Sequence, residues 1–549
     1  MINNRFRVSG NIVDVVGTRI YPGTVHISGG RIERIVPESR GFSTFIMPGF
    51  IDAHVHIESS MLTPAEFARI AVTHGTVAAV SDPHEIANIL GMKGVLFMVD
   101  NAAKSPFKFS FGVPSCVPAT PFETSGAKLA LDDVACLLDR EDFSFLSEVM
   151  NYPGVIAREA SIMAKIESAQ SRGKKVDGHA PGLRGDDLRK YIQAGIETDH
   201  ETLDIDEAKE KLKHGMKILI REGSAARDFE RLHGLIDEHS AECMFCTDDV
   251  HPDDLVAGHI NSLVRRARAH GHDLMRVLRC ACLNPAWHYT LPVGLLQEGD
   301  AADFIVVDDL EEFSVREAYI DGRKVAESGT SLLDHVNVEH VNSFLAEKKE
   351  EQDFRIPGGH GPANIIGASD GELLTGWIRE RPKTERGRIV SDPERDILKI
   401  AVVNRYQNSK PAMGLIRGFG LKNGAIVSSI AHDSHNIVAV GLTDTDLCRA
   451  VNAVIEHKGG LALISDEHMH ILPLPIAGIM SDRDAHEVAH RYVQLQDEAK
   501  RLGSSLSAPF ITLSFMSLLV IPHLKMSDRG LFDADQFEFV DLFGESGQE

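Results

Sequence analysis

The chemistry-bearing signal that stands out in the chain is a pair of histidines one residue apart, His54 and His56, in Pro48-Gly49-Phe50-Ile51-Asp52-Ala53-His54-Val55-His56. Side chains two apart on a β-strand point to one face, so both imidazoles can meet a single divalent cation. More imidazoles and carboxylates end later strand-like runs. Glu148 follows Phe143 to Ser147, His179 follows Lys175 to Gly178, His200 follows Glu197 to Asp199, and Asp248 follows Cys243 to Thr247. One such residue would be incidental; a set at the same end of successive strands is hard to dismiss. Together they offer enough nitrogen and oxygen ligands for two divalent metals, with Glu148 able to give one oxygen to each. Such a centre activates water for hydrolysis.

The elements that must position these residues are legible in outline. Between about 48 and 290, strand-like runs alternate with helix-like ones. The expected strands are Phe50 to Val55, Thr76 to Val80, Phe107 to Phe111, Phe143 to Val149, Lys175 to His179, Glu197 to His200, Lys217 to Ile220 and Cys243 to Thr247. Amphipathic helices are expected over Ala157 to Ser171 and Asp186 to Ala194. Length and rhythm suit a (β/α)8 TIM-like barrel, whose sites lie at the C-terminal ends of the strands. A doubly wound open sheet would give the same local pattern, and periodicity does not choose between them. Two β-rich segments flank this region, 1–47 and 291–335, and are expected to pair into one split β-sandwich domain. After Glu347-Lys348-Lys349-Glu350-Glu351, read as a solvated helix end or linker, residues 350–549 suffice for a C-terminal α+β domain that covers or flanks the active site.

Composition narrows the partners. The 549 residues are 43% hydrophobic and 25% charged, with 57 Lys plus Arg against 80 Asp plus Glu, a formal charge of -23. Such a surface disfavours nucleic-acid polymers and anionic membranes and leaves a neutral or cationic small substrate. The N-terminal residues, Met1 to Arg7, run into strand-like sequence without the apolar core of a signal peptide, and the apolar run from Phe510 to Ile521 is too short to span a bilayer. Seven scattered cysteines do not form a disulfide framework. The expectation is a protein of the reducing cytoplasm, assembled as a homo-oligomer, a dimer first of all.

Further motifs carry a resemblance. They are Ile57-Glu58-Ser59-Ser60-Met61, Ser81-Asp82-Pro83-His84-Glu85-Ile86-Ala87-Asn88, Glu148-Val149-Met150-Asn151, Asp177-Gly178-His179-Ala180-Pro181-Gly182, Thr198-Asp199-His200-Glu201 and Cys246-Thr247-Asp248-Asp249. His432 to Gly441 adds one more in the C-terminal region. With the opening His pair, this set is similar to the bacterial adenine deaminase branch of the amidohydrolase superfamily, over nearly the whole chain. The resemblance implies metal ligands at His54, His56, Glu148, His179, His200 and Asp248, with Glu148 in place of the carboxylated lysine of several relatives. It implies two divalent ions, Mn(II) or Fe(II) ahead of Zn(II); His84 and Glu85 are candidates either to hold an accessory metal or to shape the pocket.

The expected reaction is hydrolytic deamination of adenine to hypoxanthine and ammonia, by attack of a metal-bridging hydroxide on C6. Glu201 is the candidate proton donor to N1, and Asp248 the group that moves the nucleophile's proton to the departing amine. A neutral purine needs directional hydrogen bonds, for which Glu85, Ser59, Arg221 and Ser224 are the candidates. Two alternatives stand beside this: a hydrolase of another cyclic amide or amidine, with a pyrimidine or hydantoin-like ring, and a catalytically silent scaffold barrel. The cytidine-deaminase type of zinc site is disfavoured. Cys243-Met244-Phe245-Cys246 has the CxxC spacing, but Glu242 stands where that pattern wants proline, and the segment reads as apolar strand.

Overall fold

The structure is a computed structural model, and residues 5–466 and 468–544 are described. The first four residues of the expected 1–47 segment and the last five of the 350–549 segment lie outside them. The chain divides into two compact units. The first comprises Met1–His84, Leu96–Cys116 and Leu129–Val338; the second comprises Glu85–Val95, Val117–Lys128 and Glu339–Glu549.

In the first unit the two flanking β-rich segments share one sheet. Strands β1 (Phe6–Asp14), β2 (Arg19–Ser28), β3 (Arg31–Pro37) and β4 (Phe45–Pro48) come from the N-terminal side. After the intervening region come β13 (Phe304–Val307), β14 (Val315–Ile320), β15 (Arg323–Glu327) and β16 (Thr330–Ser331). The sheet runs β16-β15-β14-β13-β4-β1-β2-β3, so β4 beside β13 is the seam between the two segments. Ile12, Val25, Ile46, Phe304 and Val306 pack together in its apolar cluster.

The strands between are β5 (Phe50–Val55), β6 (Thr76–Ser81), β7 (Lys108–Val113), β8 (Phe143–Val149), β9 (Lys175–Gly178), β10 (Thr198–Asp199), β11 (Lys217–Arg221) and β12 (Cys243–Cys246). The first five form one parallel sheet in chain order, a half-barrel, and the last three form a second parallel sheet. Past β12 the chain returns beside β5: Asp248 N donates to His54 O at 2.9 Å, and His56 N donates to Asp248 O at 3.2 Å. All six residues of β5 and all six of β6 are buried, as parallel strands covered on both faces must be. Burying a Phe or Ile side chain there contributes roughly 1.5–3 kcal/mol. Gly49 has its own steric reason, because an added Cβ would sit 2.4 Å from Val77 Cγ1 on the neighbouring strand.

Helices fill the connections. Gly185–Gln193 buries Leu188 and Tyr191, and Ile205–Lys213 starts at Asp204, whose carboxylate accepts from the backbone N–H groups of Asp206 and Glu207. The helix expected over Ala157 to Ser171 is shorter, Ala160–Gln170, and a separate helix, Tyr152–Ile156, precedes it. Arg158 lies between them at φ +56°, a left-handed conformation that a continuous helix cannot contain.

The second unit has an eight-stranded sheet of its own, including Leu398–Val403, Ile437–Gly441 and Ala425–Ser428 as neighbours. The helix Asp444–His457 lays Leu447, Val451 and Val454 on it. No helix covers Glu347 to Glu350; a short 3-10 turn, Glu351–Phe354, follows, and Lys349 is buried with its ammonium donating to Asn408. Among the described residues no helix is long and apolar enough to cross a membrane.

Candidate metal centre and its relatives

The C-terminal ends of β5, β6, β8 and β12, with the turns after β9 and β10, bring the expected residues of the first unit together. His54 Nε2 and His56 Nε2 are 3.2 Å apart, as period-two alternation on β5 requires. Asp248 Oδ1 lies 3.5 Å from His54 Nε2 and 3.1 Å from His56 Nε2. Glu148 stands between two sides: its Oε1 is 3.2 Å from His56 Nε2, its Oε2 3.2 Å from His200 Nε2 and 2.7 Å from His179 Nδ1. All six are buried or nearly so. Gly178 is needed just before His179, since a Cβ there would meet Thr198 O of the adjacent strand at 2.4 Å.

The donor set fits divalent cations. Three groups of ligand atoms each lie within 4.8 Å of one another: His54, His56 and Asp248; His54, Glu148 and His200; and His179, His200 and Glu201. Most of the separations exceed the 2.7–2.9 Å of a good charge-assisted hydrogen bond. They approach instead the edge of a tetrahedron around an ion with bonds of about 2.1 Å, about 3.4 Å. The electrostatics agree. Burial opposes the charged form of every group here, yet the neighbouring imidazoles hold Glu148 and Asp248 well below the usual carboxylate range. In return the carboxylates lift His56 well above the usual imidazole range and His200 to about 9, against burial. His179 is raised as well, whereas burial and the neighbouring His200 lower His54, so three of the four imidazoles are pulled toward protonation in a field that favours cations.

Around this core lie supports that sequence reading passed over. Asp52 is fully buried, accepts from Thr247 N at 3.1 Å and from Thr247 Oγ1, and sits 3.0 Å from His259 Nε2. It ties β5 to β12 directly beneath the two histidines. The signal was available, because residues 52, 54 and 56 share one face of an alternating strand. Asp82, after β6, is a second such group, and it lies beside the expected His84: His84 Nδ1 is 3.3 Å from Glu148 Oε1 and 3.4 Å from Asp82 Oδ2.

The four residues expected to meet substrate have diverse settings. Arg221 is buried and its guanidinium faces three carboxylates: Glu201, Asp248 at 2.9 Å and Asp228 at 2.8 Å. Burial opposes ionisation of Glu201, but Arg221 with His179 and His200 keeps its pKa below the ordinary value. Ser59 Oγ donates to Asp249 Oδ1 at 2.5 Å, and Ser224 Oγ donates to Asp254 Oδ2 at 2.6 Å while accepting from His251 N. Glu85, in the second unit, is buried and bonded to His432 Nδ1 and His435 Nε2. His435 Nδ1 accepts from Ala431 N at 3.3 Å, which places the ring proton on Nε2, facing Glu85. Glu85, His432 and His435 form one more group whose ligand atoms lie within 4.8 Å of one another.

The buried cysteines carry no such pattern. Burial pushes the Cys243 and Cys246 thiols well above their ordinary range, as expected of apolar strand residues.

Comparison with known proteins decides the family. Residues 45–325 match the amidohydrolase family, and residues 372–538 match the adenine deaminase C-terminal domain. An adenine deaminase of Salinibacter ruber is 56% identical over 540 residues, covering 98% of this chain and 99% of that protein. The chain belongs to the adenine deaminase family. Adenine deaminases of Methanosarcina mazei and Borreliella burgdorferi are 52% and 48% identical over 549 and 544 residues, in each case across 98% of this chain and 99% of theirs. The family thus has archaeal as well as bacterial members. Membership of the amidohydrolases also accounts for the buried His and carboxylate groups, since a divalent-metal centre is what such a donor set serves.

Proposed function

We propose that this protein is a metal-dependent aminohydrolase that converts adenine and water to hypoxanthine and ammonia. The observation that carries the reading is the ring of imidazoles and carboxylates around Glu148, in a chain of the adenine deaminase family throughout its length. The eight parallel strands then constitute a (β/α)8 TIM-like barrel, with the site at their C-terminal ends, and the second unit constitutes an α+β domain.

His54, His56 and Asp248 would hold one divalent ion and His179 and His200 a second, with Glu148 between them. When bound, such a pair lowers the pKa of a water and so supplies a nucleophile near neutral pH. Histidine and carboxylate donors suit Mn(II) and Fe(II), and Zn(II) as well. We place Mn(II) or Fe(II) first.

The rest is proton management by this chain's own groups. Attack of water oxygen at C6 releases two protons; one must finish on N1 and the other on the departing amine. Glu201 and Asp248 are both held ionised at rest, so each can accept one proton and hand it on. We assign delivery to N1 to Glu201 and delivery to the amine to Asp248. Arg221, engaged by both, orients them; its guanidinium is already shared among three carboxylates, which fits it for positioning better than for holding a neutral ring.

The test is ammonia release from adenine by metal-free protein and by protein reconstituted with Mn(II), Fe(II) or Zn(II), with adenosine, cytosine and hydantoin as competitors. Adenine turnover that depends on metal is the expected outcome. Turnover of hydantoin or cytosine in its place would favour another cyclic amide or amidine hydrolase, and a protein that binds no metal would favour the scaffold.

A further inference from the structure

The two seats proposed above are framed in different ways. Around His54, His56 and Asp248 the backbone makes the frame, because Asp248 N donates to His54 O and His56 N donates to Asp248 O. His179 and His200 stand on either side of a seam: β9 ends the five-stranded sheet and β10 begins the three-stranded one. Three residues before each histidine a backbone bond crosses this seam, Glu197 N to Val176 O at 2.9 Å. Beside the histidines themselves, side chains cross it. Asp199 Oδ1 accepts from Ala180 N at 2.8 Å, and Lys211 Nζ donates to Ala180 O at 2.9 Å and to Asp199 Oδ2 at 2.8 Å.

The other side of His179 is held in the same manner. Pairing of β8 with β9 is irregular between Leu146 and Val149, the stretch that carries Glu148. Tyr191, on the helix Gly185–Gln193, places one hydroxyl between the two strand ends: it donates to Val149 O at 2.8 Å and accepts from His179 N at 3.0 Å. A phenol oxygen can do both at once. A tyrosine that only filled the core would be satisfied by one carbonyl; this one joins the peptide beside Glu148 to the peptide of His179. Gly178 keeps the approach open, since a Cβ there would lie 3.0 Å from the Tyr191 hydroxyl. Tyr191, Asp199 and Lys211 are all fully buried, so solvent does not compete for these bonds.

We infer that Tyr191, with Asp199 and Lys211, positions the seat of one ion of the pair and not the other. These side chains fix His179 against Glu148 and His200, whereas the seat of His54, His56 and Asp248 is tied by backbone bonds that do not involve them. The inference rests on the two-ion reading proposed above. All three residues act through the peptides that carry the ligands, so they are positioning residues. Losing such a partner weakens a bound metal by about 10–100-fold, and here the loss falls on one seat.

The experiment is titration of metal-free full-length protein with Mn(II), for wild type and Tyr191→Phe, with free Mn(II) read by its electron paramagnetic resonance signal. The wild type should bind two equivalents. In Tyr191→Phe one equivalent should keep its affinity and the other weaken by about 10–100-fold. Anomalous diffraction at the manganese edge, from crystals soaked at one limiting concentration, then assigns the weakened ion. The peak beside His179 and His200 should fall relative to the peak beside His54, His56 and Asp248. An unchanged titration, equal weakening of both ions, or a fall at the other seat would overturn the inference and leave the pair standing. Fewer than two equivalents in the wild type would overturn the pair and this inference together. Because Tyr191→Phe can fail to fold, hydrogen exchange in metal-free wild-type protein gives an independent reading. The His179 amide, one residue past β9, should exchange slowly, and exchange at the rate of an open loop overturns the role given to Tyr191.

Discussion

One guanidinium nitrogen of Arg221 donates to Asp248 Oδ2 at 2.9 Å, while its Nε and Nη2 are held by Asp228 at 2.9 and 2.8 Å. Asp248 itself adopts a left-handed backbone at φ +58°, a conformation that survives in a non-glycine residue when its surroundings over-determine it. Arg221 is one of those surroundings. Lysine offers a single compact ammonium in place of the planar fork whose Nε, Nη1 and Nη2 each engage carboxylates here. Arg221→Lys should therefore lower kcat by about 10–100-fold, as loss of an orienting partner of a metal ligand does. Steady-state kinetics with metal content measured in parallel checks it, and an unchanged kcat in a fully metal-loaded variant would refute the positioning role.

Glu201 lies beside the ring of donors, its Oε1 3.9 Å from His179 Nδ1, and is ionised at rest. Glu201→Gln keeps its shape and removes its capacity to carry a proton. The loss expected of a general acid-base group is about 10²–10⁴-fold in kcat. Bound metal should stay at the wild-type level. A variant with wild-type turnover would transfer the N1 proton to some other group.

Asp52 predicts stability rather than rate. Its carboxylate receives Thr247 N, Thr247 Oγ1 and His259, so an asparagine must turn its amide group toward one of these donors. Leaving such a buried contact unmatched costs about 1–3 kcal/mol. Asp52→Asn should lower the urea midpoint of the metal-free protein accordingly. A midpoint equal to that of the wild type would show that the link between β5 and β12 is dispensable.

His288 sets an acid limit. It is buried, Nε2 has no hydrogen-bond partner among the described residues, and burial, aided by Lys175 and Lys217, lowers its pKa to about 3. In the unfolded chain the ring takes a proton below about 6.5. Between those values the unfolded state binds a proton that the native state refuses, so native stability falls as pH falls, by up to about 1.4 kcal/mol per pH unit. His288→Phe removes that dependence. The difference in unfolding free energy between variant and wild type should widen in the variant's favour from pH 6.5 to pH 5; a constant difference would contradict the assignment.

The strands that carry the site were legible because they are short, apolar and bounded by turn formers. β5 and β8 have the limits read from sequence, and the other six shift by a few residues at their ends. Parallel strands buried on both faces make continuous apolar runs, and such runs are conspicuous. The helix near Ala157 was over-extended because amphipathic spacing does not reveal a residue such as Arg158 that takes a left-handed φ. Asp52 and Asp82 were passed over for a different reason. A buried carboxylate is recognised by what surrounds it, and for Asp52 the partners stand about 200 residues away in the chain. Arg221 and Ser224 were grouped as substrate contacts by position alone, since sequence does not show which acids have already engaged a cation or a hydroxyl.

The return of Asp248 beside His54 has a consequence for how the protein is made. Roughly 200 residues separate the two, and at ribosomal rates of about 5–20 residues per second the nascent chain carries His54 and His56 for about 10–40 s before Asp248 exists. Until then the histidine pair is an open, two-toothed trap for whatever soft or borderline metal passes. Any seat that uses Asp248 is thus complete only after the last strand of the ring has been made, however early the two histidines are in place.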